Sequence, residues 1–184
     1  KGLIKFGTSD VKGSLILEFA DNVSFTKAEI SCHAFYASSN DFPTSDNKMT
    51  VNGVTLDLPY ADGTPETLTF EFDAANEISI TTSGTKARCY VWSITLYGEG
   101  VSSNTPSQPS TPSTSENSSS NQPGSSDVTI EGELEFDFSS LTGSSEITAD
   151  KALATFQGVL GENASSLISV TPTKVYDGAG SGGA

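Results

Sequence analysis

Apolar and polar residues alternate along most of residues 1–98, at the two-residue period of half-buried strands. Leu15-Ile16-Leu17-Glu18-Phe19 shows it, and the run from Ile30 through Cys32 and Ala34 to Tyr36 repeats it. Leu68-Thr69-Phe70-Glu71-Phe72 and Ile78-Ser79-Ile80 follow the same rule. Arg88 to Tyr97 reads as a long last strand with Tyr90, Trp92, Ile94 and Leu96 on one face, which makes Trp92 a core residue. Val51-Asn52-Gly53-Val54 predicts a hairpin, because Asn-Gly supplies the positive φ angles that a type I′ turn requires. Turn residues recur at a spacing of roughly 8–12 positions, and no stretch of 1–98 has a helical period. The expectation is an all-β, antiparallel β-sandwich, jelly-roll-like in form.

Beyond position 128 the pattern changes. Glu131, Glu133, Glu135 and Asp137 alternate with Ile130, Gly132, Leu134, Phe136 and Phe138, giving a strand whose polar face is a row of carboxylates. Thr148 is placed to cap a short helix from Ala149 to Gln157, with Ala152, Leu153 and Phe156 on one face. Leu167-Ile168-Ser169-Val170 and Lys174-Val175-Tyr176 supply further strand. The C-terminal segment thus contributes the one short helix of the fold. Its few elements make a poor free-standing core.

Between these parts, every residue of 101–126 except Val101 and Glu116 is Ser, Thr, Pro, Asn, Gln or Gly. Such a segment has no apolar face whose burial could offset the entropy of ordering it. The division is a module over 1–98, a linker over 99–127 and a second segment over 128–184. A flexible coil of this length reaches roughly 25–30 Å. That suffices for 128–184 to fold back and complete the sandwich of 1–98.

Charge narrows the classes of partner. The 184 residues hold 23 Asp and Glu against 9 Lys and Arg, a formal net charge of −14. The acidity is spread over all three segments, which disfavours binding of nucleic acid by these residues. No apolar run approaches the roughly 20 residues that span a bilayer. The chain opens on Lys1 without a signal peptide, and reads as a piece of a longer precursor. An extracellular or cell-surface location is expected from the linker, whose composition is common between modules of exported proteins.

Candidate chemistry is sparse. His33 is the single histidine, which excludes a multi-histidine metal site, and it reads as an ordinary strand residue. Gly178 to Gly183 satisfies GxGxxG formally, but no helix or acidic residue follows it as dinucleotide binding needs. The carboxylate row lies on one strand, whereas glycoside hydrolysis needs two carboxyl groups facing each other across a cleft. No catalytic residues are assigned, and the chain is not read as an enzyme. The best ligand site is the loop with Phe35, Tyr36, Asn40, Asp41, Phe42, Asp46 and Asn47. Its aromatic rings and amides suit sugar, and its oxygen ligands suit Ca²⁺. Packing of those rings on the sandwich edge is the plainer reading. No cofactor is expected, structural Ca²⁺ excepted. Cys32 and Cys89 are too far apart in sequence for a CxxC motif. They are either two small buried thiols or a disulfide between neighbouring strands, and structural in both cases.

The stretches EFDFSSLTG (135–143), VTPTKVYDGAGSGGA (170–184), GLIKFGTS (2–9), ISCHAFYASSNDFPTSDNKMTVNG (30–53) and RCYVWSITLYG (88–98) carry a resemblance. Together they resemble β-sandwich repeat modules found in tandem in secreted and cell-surface proteins of Gram-positive bacteria, some attached to extracellular nucleases. In those modules the DFSSLTG and Gly-rich stretches precede GLIKFGTS. The resemblance therefore implies that 1–98 is the later two-thirds of one repeat and 128–184 the opening third of the next. It also implies a non-catalytic accessory or interaction module. The alternatives are a carbohydrate-binding module, and an accessory part of a secreted nuclease whose catalytic domain lies elsewhere. The expected partners are glycan or cell-wall polysaccharide and neighbouring repeats.

Overall fold

A computed structural model describes residues 2–35, 47–59, 64–83, 88–99 and 131–178. The strands are β1 (Ile4–Phe6), β2 (Ser14–Phe19), β3 (Ser24–Ala34), β4 (Lys48–Val51), β5 (Val54–Asp57) and β6 (Glu66–Ala75). They continue with β7 (Glu77–Thr82), β8 (Cys89–Glu99), β9 (Glu131–Asp137), β10 (Leu167–Thr173) and β11 (Val175–Asp177). One helix, α1 (Ala149–Leu160), lies between β9 and β10. The strands form two antiparallel sheets, one of six strands in the order β11-β1-β8-β3-β6 with β9 also on β8, and one of five in the order β10-β2-β7-β4-β5. The expected all-β sandwich with one short helix from the C-terminal segment is the observed architecture. Among the described residues no helix is long and apolar enough to cross a membrane.

Alternation explains how the sheets close on each other. Leu15, Leu17 and Phe19 of β2 and Ile78 and Ile80 of β7 are fully buried, as are Ala28 and Ile30 of β3. The β4–β5 hairpin turns on Asn52 and Gly53, with φ of 44° and 87°, the two left-handed residues of a type I′ turn. Pro172 sits in β10, an edge strand, where its missing N–H costs no ladder bond.

The segment 131–178 supplies three strands to the two sheets. β9 pairs with β8, β10 with β2 and β11 with β1. Glu99 and Glu131 are directly opposed, so β8 and β9 form the two arms of one antiparallel pair. At the other seam Gly178 N donates to Leu3 O at 2.8 Å. Helix α1 packs on β10 and β9, and the Phe156 ring meets Phe136 at 5.9 Å and Phe138 at 5.7 Å. All three rings are fully buried. Thr148 occupies the N-cap position, but its side chain makes no capping bond to the helix backbone. Its hydroxyl donates to the Asp150 carboxylate instead.

β8 departs from the sequence reading. Ser31 of β3 faces Ser93 while Cys32 faces Val91, so β8 carries one extra residue, Trp92, at that point. This is a β-bulge, and it shifts the inward phase of the strand by one. Cys89 and Val91 are buried before it and Ile94 and Leu96 after it. Tyr90 and Trp92 are thereby turned to the outer face, half-buried, and the expectation of Trp92 in the core is corrected. The same residue marks a change of neighbour. β1 pairs with Cys89 to Val91 on the free edge of β8, and β9 takes over from Ser93 to Glu99. Where β1 and β9 meet end to end the backbones touch closely: a Cβ on Gly2 would lie 2.1 Å from Ser139 Cα.

Because Phe136 joins β9 to α1 and the sandwich core, Phe136→Ala should cost about 3–5 kcal/mol. Trp92 is the single tryptophan, so its fluorescence reports on the six-stranded sheet. Urea unfolding of the variant should show the fluorescence and far-UV circular dichroism midpoints falling together. A fluorescence midpoint that stays in place would mean that 131–178 is not integral to the sheet.

Candidate functional site

The bulge in β8 creates a continuous row of side chains on the outer face of the six-stranded sheet. Lys5 of β1 stands between Tyr176 of β11 and Tyr90 of β8, and Tyr90 in turn stands opposite His33 of β3. Four adjacent strands at their ordinary spacing make this row roughly 14 Å long. Each member is outward because its chain neighbours point inward: Ile4 and Phe6 flank Lys5, Cys89 and Val91 flank Tyr90, and all four are fully buried.

Trp92 and Phe35 widen the row into a platform. The His33 ring lies 4.7 Å from that of Trp92 and 5.5 Å from that of Tyr90. Phe35 and Tyr90 are 5.5 Å apart, and Tyr90 and Trp92 6.3 Å. His33 is only 7% exposed, and its Nδ1 lies 2.6 Å from Ala34 O. A carbonyl can only accept, so Nδ1 carries a hydrogen and the ring orientation is set by the backbone.

Two cations lie against these rings. Arg88 Cζ sits 3.8 Å from the centroid of Phe35, and Lys5 Nζ sits 4.5 Å from that of Tyr176, both cation–π distances. Burial, and next the charge of Arg88, push the Lys5 ammonium below the usual lysine range. Burial pushes the Tyr90 phenol upward, partly opposed by Arg88. Among the described residues, the Tyr90 and Tyr176 hydroxyls and the Trp92 indole N–H make no hydrogen bond. The rings are tilted to one another, Tyr90 at 46° to Phe35 and 75° to Trp92, so the platform presents a faceted apolar surface with cations against its rings.

The rest of this face is acidic. Lys27 and Glu29 of β3 pair at 3.1 Å, the Tyr97 hydroxyl donates to Glu29 Oε2 at 2.8 Å, and Lys27 Nζ lies 3.8 Å over the Tyr97 ring. The Tyr97 phenol is pushed up to about 12, first by its bond to Glu29, with Glu133 and Glu135 of β9 adding to the effect. The same bond holds the Glu29 carboxyl below its usual range, with help from Lys27. Glu133, Glu135 and Asp137 are exposed on the outer side of β9. No group of three or more His, Cys, Asp or Glu able to hold a metal ion occurs among the described residues.

Of the loop candidates read from sequence, Phe35 joins the platform. Asn47 is buried just before β4, in the other sheet, where its carbonyl accepts from Leu58 N at 2.9 Å. Tyr36, Asn40, Asp41, Phe42 and Asp46 lie outside the described residues. Cys32 and Cys89 are buried free thiols on neighbouring strands, with Cys32 opposite Val91 and Cys89 opposite Ala34. Burial pushes the Cys32 thiol up to about 12 and that of Cys89 well above the usual range. Sequence reasoning missed Lys5, Tyr90, Trp92 and Tyr176 as one site. Lys5 between two apolar residues signals an outward cation, but nothing local shows which strands flank it. No family model, curated protein or solved structure matches this chain.

Two outcomes follow from these environments. In the folded chain neither thiol should react with a thiol reagent such as DTNB near neutral pH, and two should react in denaturant; none reacting after unfolding would show a disulfide. Tyr97 should ionise near 12, about two units above an ordinary tyrosine. A pKa raised in the folded state favours folding fully below the unfolded value and loses that contribution as pH climbs through the folded one. The Tyr97 contribution thus persists to about pH 10 and fades towards 12. Glu29→Gln should move one phenol back towards 10 in an ultraviolet titration at 295 nm, and an unchanged curve would contradict the assignment.

Proposed function

We propose that this chain is a non-catalytic interaction module that binds carbohydrate on the outer face of its six-stranded sheet. The observation that carries the reading is the platform of Tyr176, Tyr90, Trp92 and Phe35 around Lys5. Sugar rings present axial C–H faces that lie on aromatic rings, and hydroxyls that exchange hydrogen bonds with groups at the ring edges. A platform held in place by a packed core is preorganised, so little ordering cost is left for binding. The linker composition over 99–127 supports an exported parent in which such modules are spaced along the chain, with glycan or cell-wall polysaccharide as target. Its Ser, Thr and Pro content equally suits a spacer role, which is the second reading.

The test is affinity electrophoresis of the full chain through gels containing xylan, mannan, mixed-linkage β-glucan, chitosan or polygalacturonate. Trp92→Ala and Tyr176→Ala are run beside it, with circular dichroism to show retained fold. Retardation by at least one polymer is expected, weakened about tenfold by Trp92→Ala, which corresponds to about 1.4 kcal/mol. Mobility unaffected by every polymer at millimolar sugar would leave the spacer reading in its place. Retardation indifferent to both substitutions would move the site off this face.

A further inference from the structure

Two cations lie against the rings of the platform. They are Lys5 and Arg88, and the Trp92 indole N–H can only donate. At its β11 end the row Tyr176, Lys5, Tyr90, His33 borders one carboxylate, Glu146 opposite Tyr176, and that group is already paired with Lys174 at 3.1 Å. The chain has 23 carboxylate side chains against 9 lysines and arginines, so a pairing acid is the commonest charged neighbour on offer. Lys27, Lys48 and Lys174 each pair with one, through Glu29, Asp57 and Glu146. Lys5 forms no ion pair among the described residues, although it is half-buried between two tyrosines and feels a second cation. Partial desolvation beside a like charge is unfavourable for an ammonium. An anion arriving from outside would relieve both costs.

We propose that the ligand of this platform is an acidic saccharide, a sugar whose carboxylate sits beside Lys5 while its ring lies on the neighbouring aromatic side chains. The inference rests on the carbohydrate reading and adds the ligand's charge. A neutral sugar would use the rings and the donors but leave the ammonium with its cation–π contact to Tyr176 and no opposite charge. A carboxylate flat against aromatic rings without a cation would be repelled by their negative faces. Lys5, lying over the Tyr176 ring and next to Tyr90, supplies the cation at the place where both contacts can be made together. The acidic half of the face begins at Lys27, Glu29 and Tyr97, and lies beyond the row along β3 and β8. At physiological ionic strength fields decay over about 8 Å, so the contact charge at Lys5 outweighs the more distant carboxylates.

The experiment measures binding of the full chain to polygalacturonate, to the same polymer with its carboxyl groups reduced to alcohols, and to poly-L-glutamate, at 0.15 M salt. The chains are wild type, Lys5→Gln and Lys5→Arg. Polygalacturonate should bind wild type and Lys5→Arg alike, and Lys5→Gln about tenfold more weakly. The reduced polymer should bind all three equally and weakly. Equal affinity for the reduced and acidic polymers, or indifference to Lys5→Gln, overturns the charge selection while the carbohydrate reading stands. Binding to poly-L-glutamate as tight as to polygalacturonate shows charge alone at work and overturns the saccharide. Absence of binding to all three polymers overturns the acidic ligand, and xylan, mannan and mixed-linkage β-glucan, the neutral polymers of the gel series above, then decide the fate of the carbohydrate reading.

Discussion

One extra residue in β8 governs the arrangement of the six-stranded sheet. Without Trp92 as a bulge, the inward phase set by Cys89 and Val91 would bring Ser93 and Thr95 to the core. Burying those hydroxyls without partners would cost on the order of 1–3 kcal/mol each. With the bulge, Ile94 and Leu96 turn inward and meet Phe136 and Leu134 of β9 on the same side. A bulge also bends its strand and increases its twist. That is where the free edge of β8 passes from three residues of β1 to seven of β9. The local insertion and the change of neighbour are thus one event.

The dependence of 2–99 on 131–178 follows from hydrogen bonding as much as from apolar burial. Strand edges are rows of unpaired N–H and C=O groups that invite pairing with another chain. β9 covers the longer part of the β8 edge, β10 covers β2 and β11 covers β1. Each covering strand also brings apolar side chains into the core, among them Leu134, Phe136, Val170 and Val175. A domain of this size buries a modest fraction of its surface, so losing one flank removes a large share of its net stability. The Gly178–Leu3 bond shows that the two seams of the fold, 99 to 131 and 178 to 3, are both short in space.

Much of this architecture could be read from alternation alone, since the period of two assigned strands to both halves and the Asn-Gly pair located the hairpin. The helix was visible in Ala152, Leu153 and Phe156, although it runs on to Leu160 and Thr148 spends its hydroxyl on Asp150. The face of Trp92 was not visible. A period-two count along Tyr90, Trp92, Ile94 and Leu96 assumes no inserted residue, and an insertion shows only against the partner strand, where Ser31 and Cys32 face Ser93 and Val91. The platform was hidden for a related reason. Lys5, His33, Tyr90 and Tyr176 come from four strands far apart in sequence, and only their register makes them a row. Local clustering pointed instead to the 36–48 loop, of which Phe35 at its entrance belongs to the platform.

The platform and the core share strands but not side chains, and this separates their constraints. Lys5 can change without touching Ile4 or Phe6, which fill the interior from the same three-residue strand. Tyr90 lies between two inward residues in the same way. His33 is the exception: nearly fully buried, bonded to the Ala34 carbonyl and packed under Trp92 and Tyr90, it supports the rings from below. A smaller side chain there would remove the packing that holds the indole and the phenol at their present angles. The outer residues can therefore vary while His33 and the bulge hold the strands on which they stand. In a fold whose interior tolerates little change in volume, such an outer face is where new specificity is cheapest to acquire.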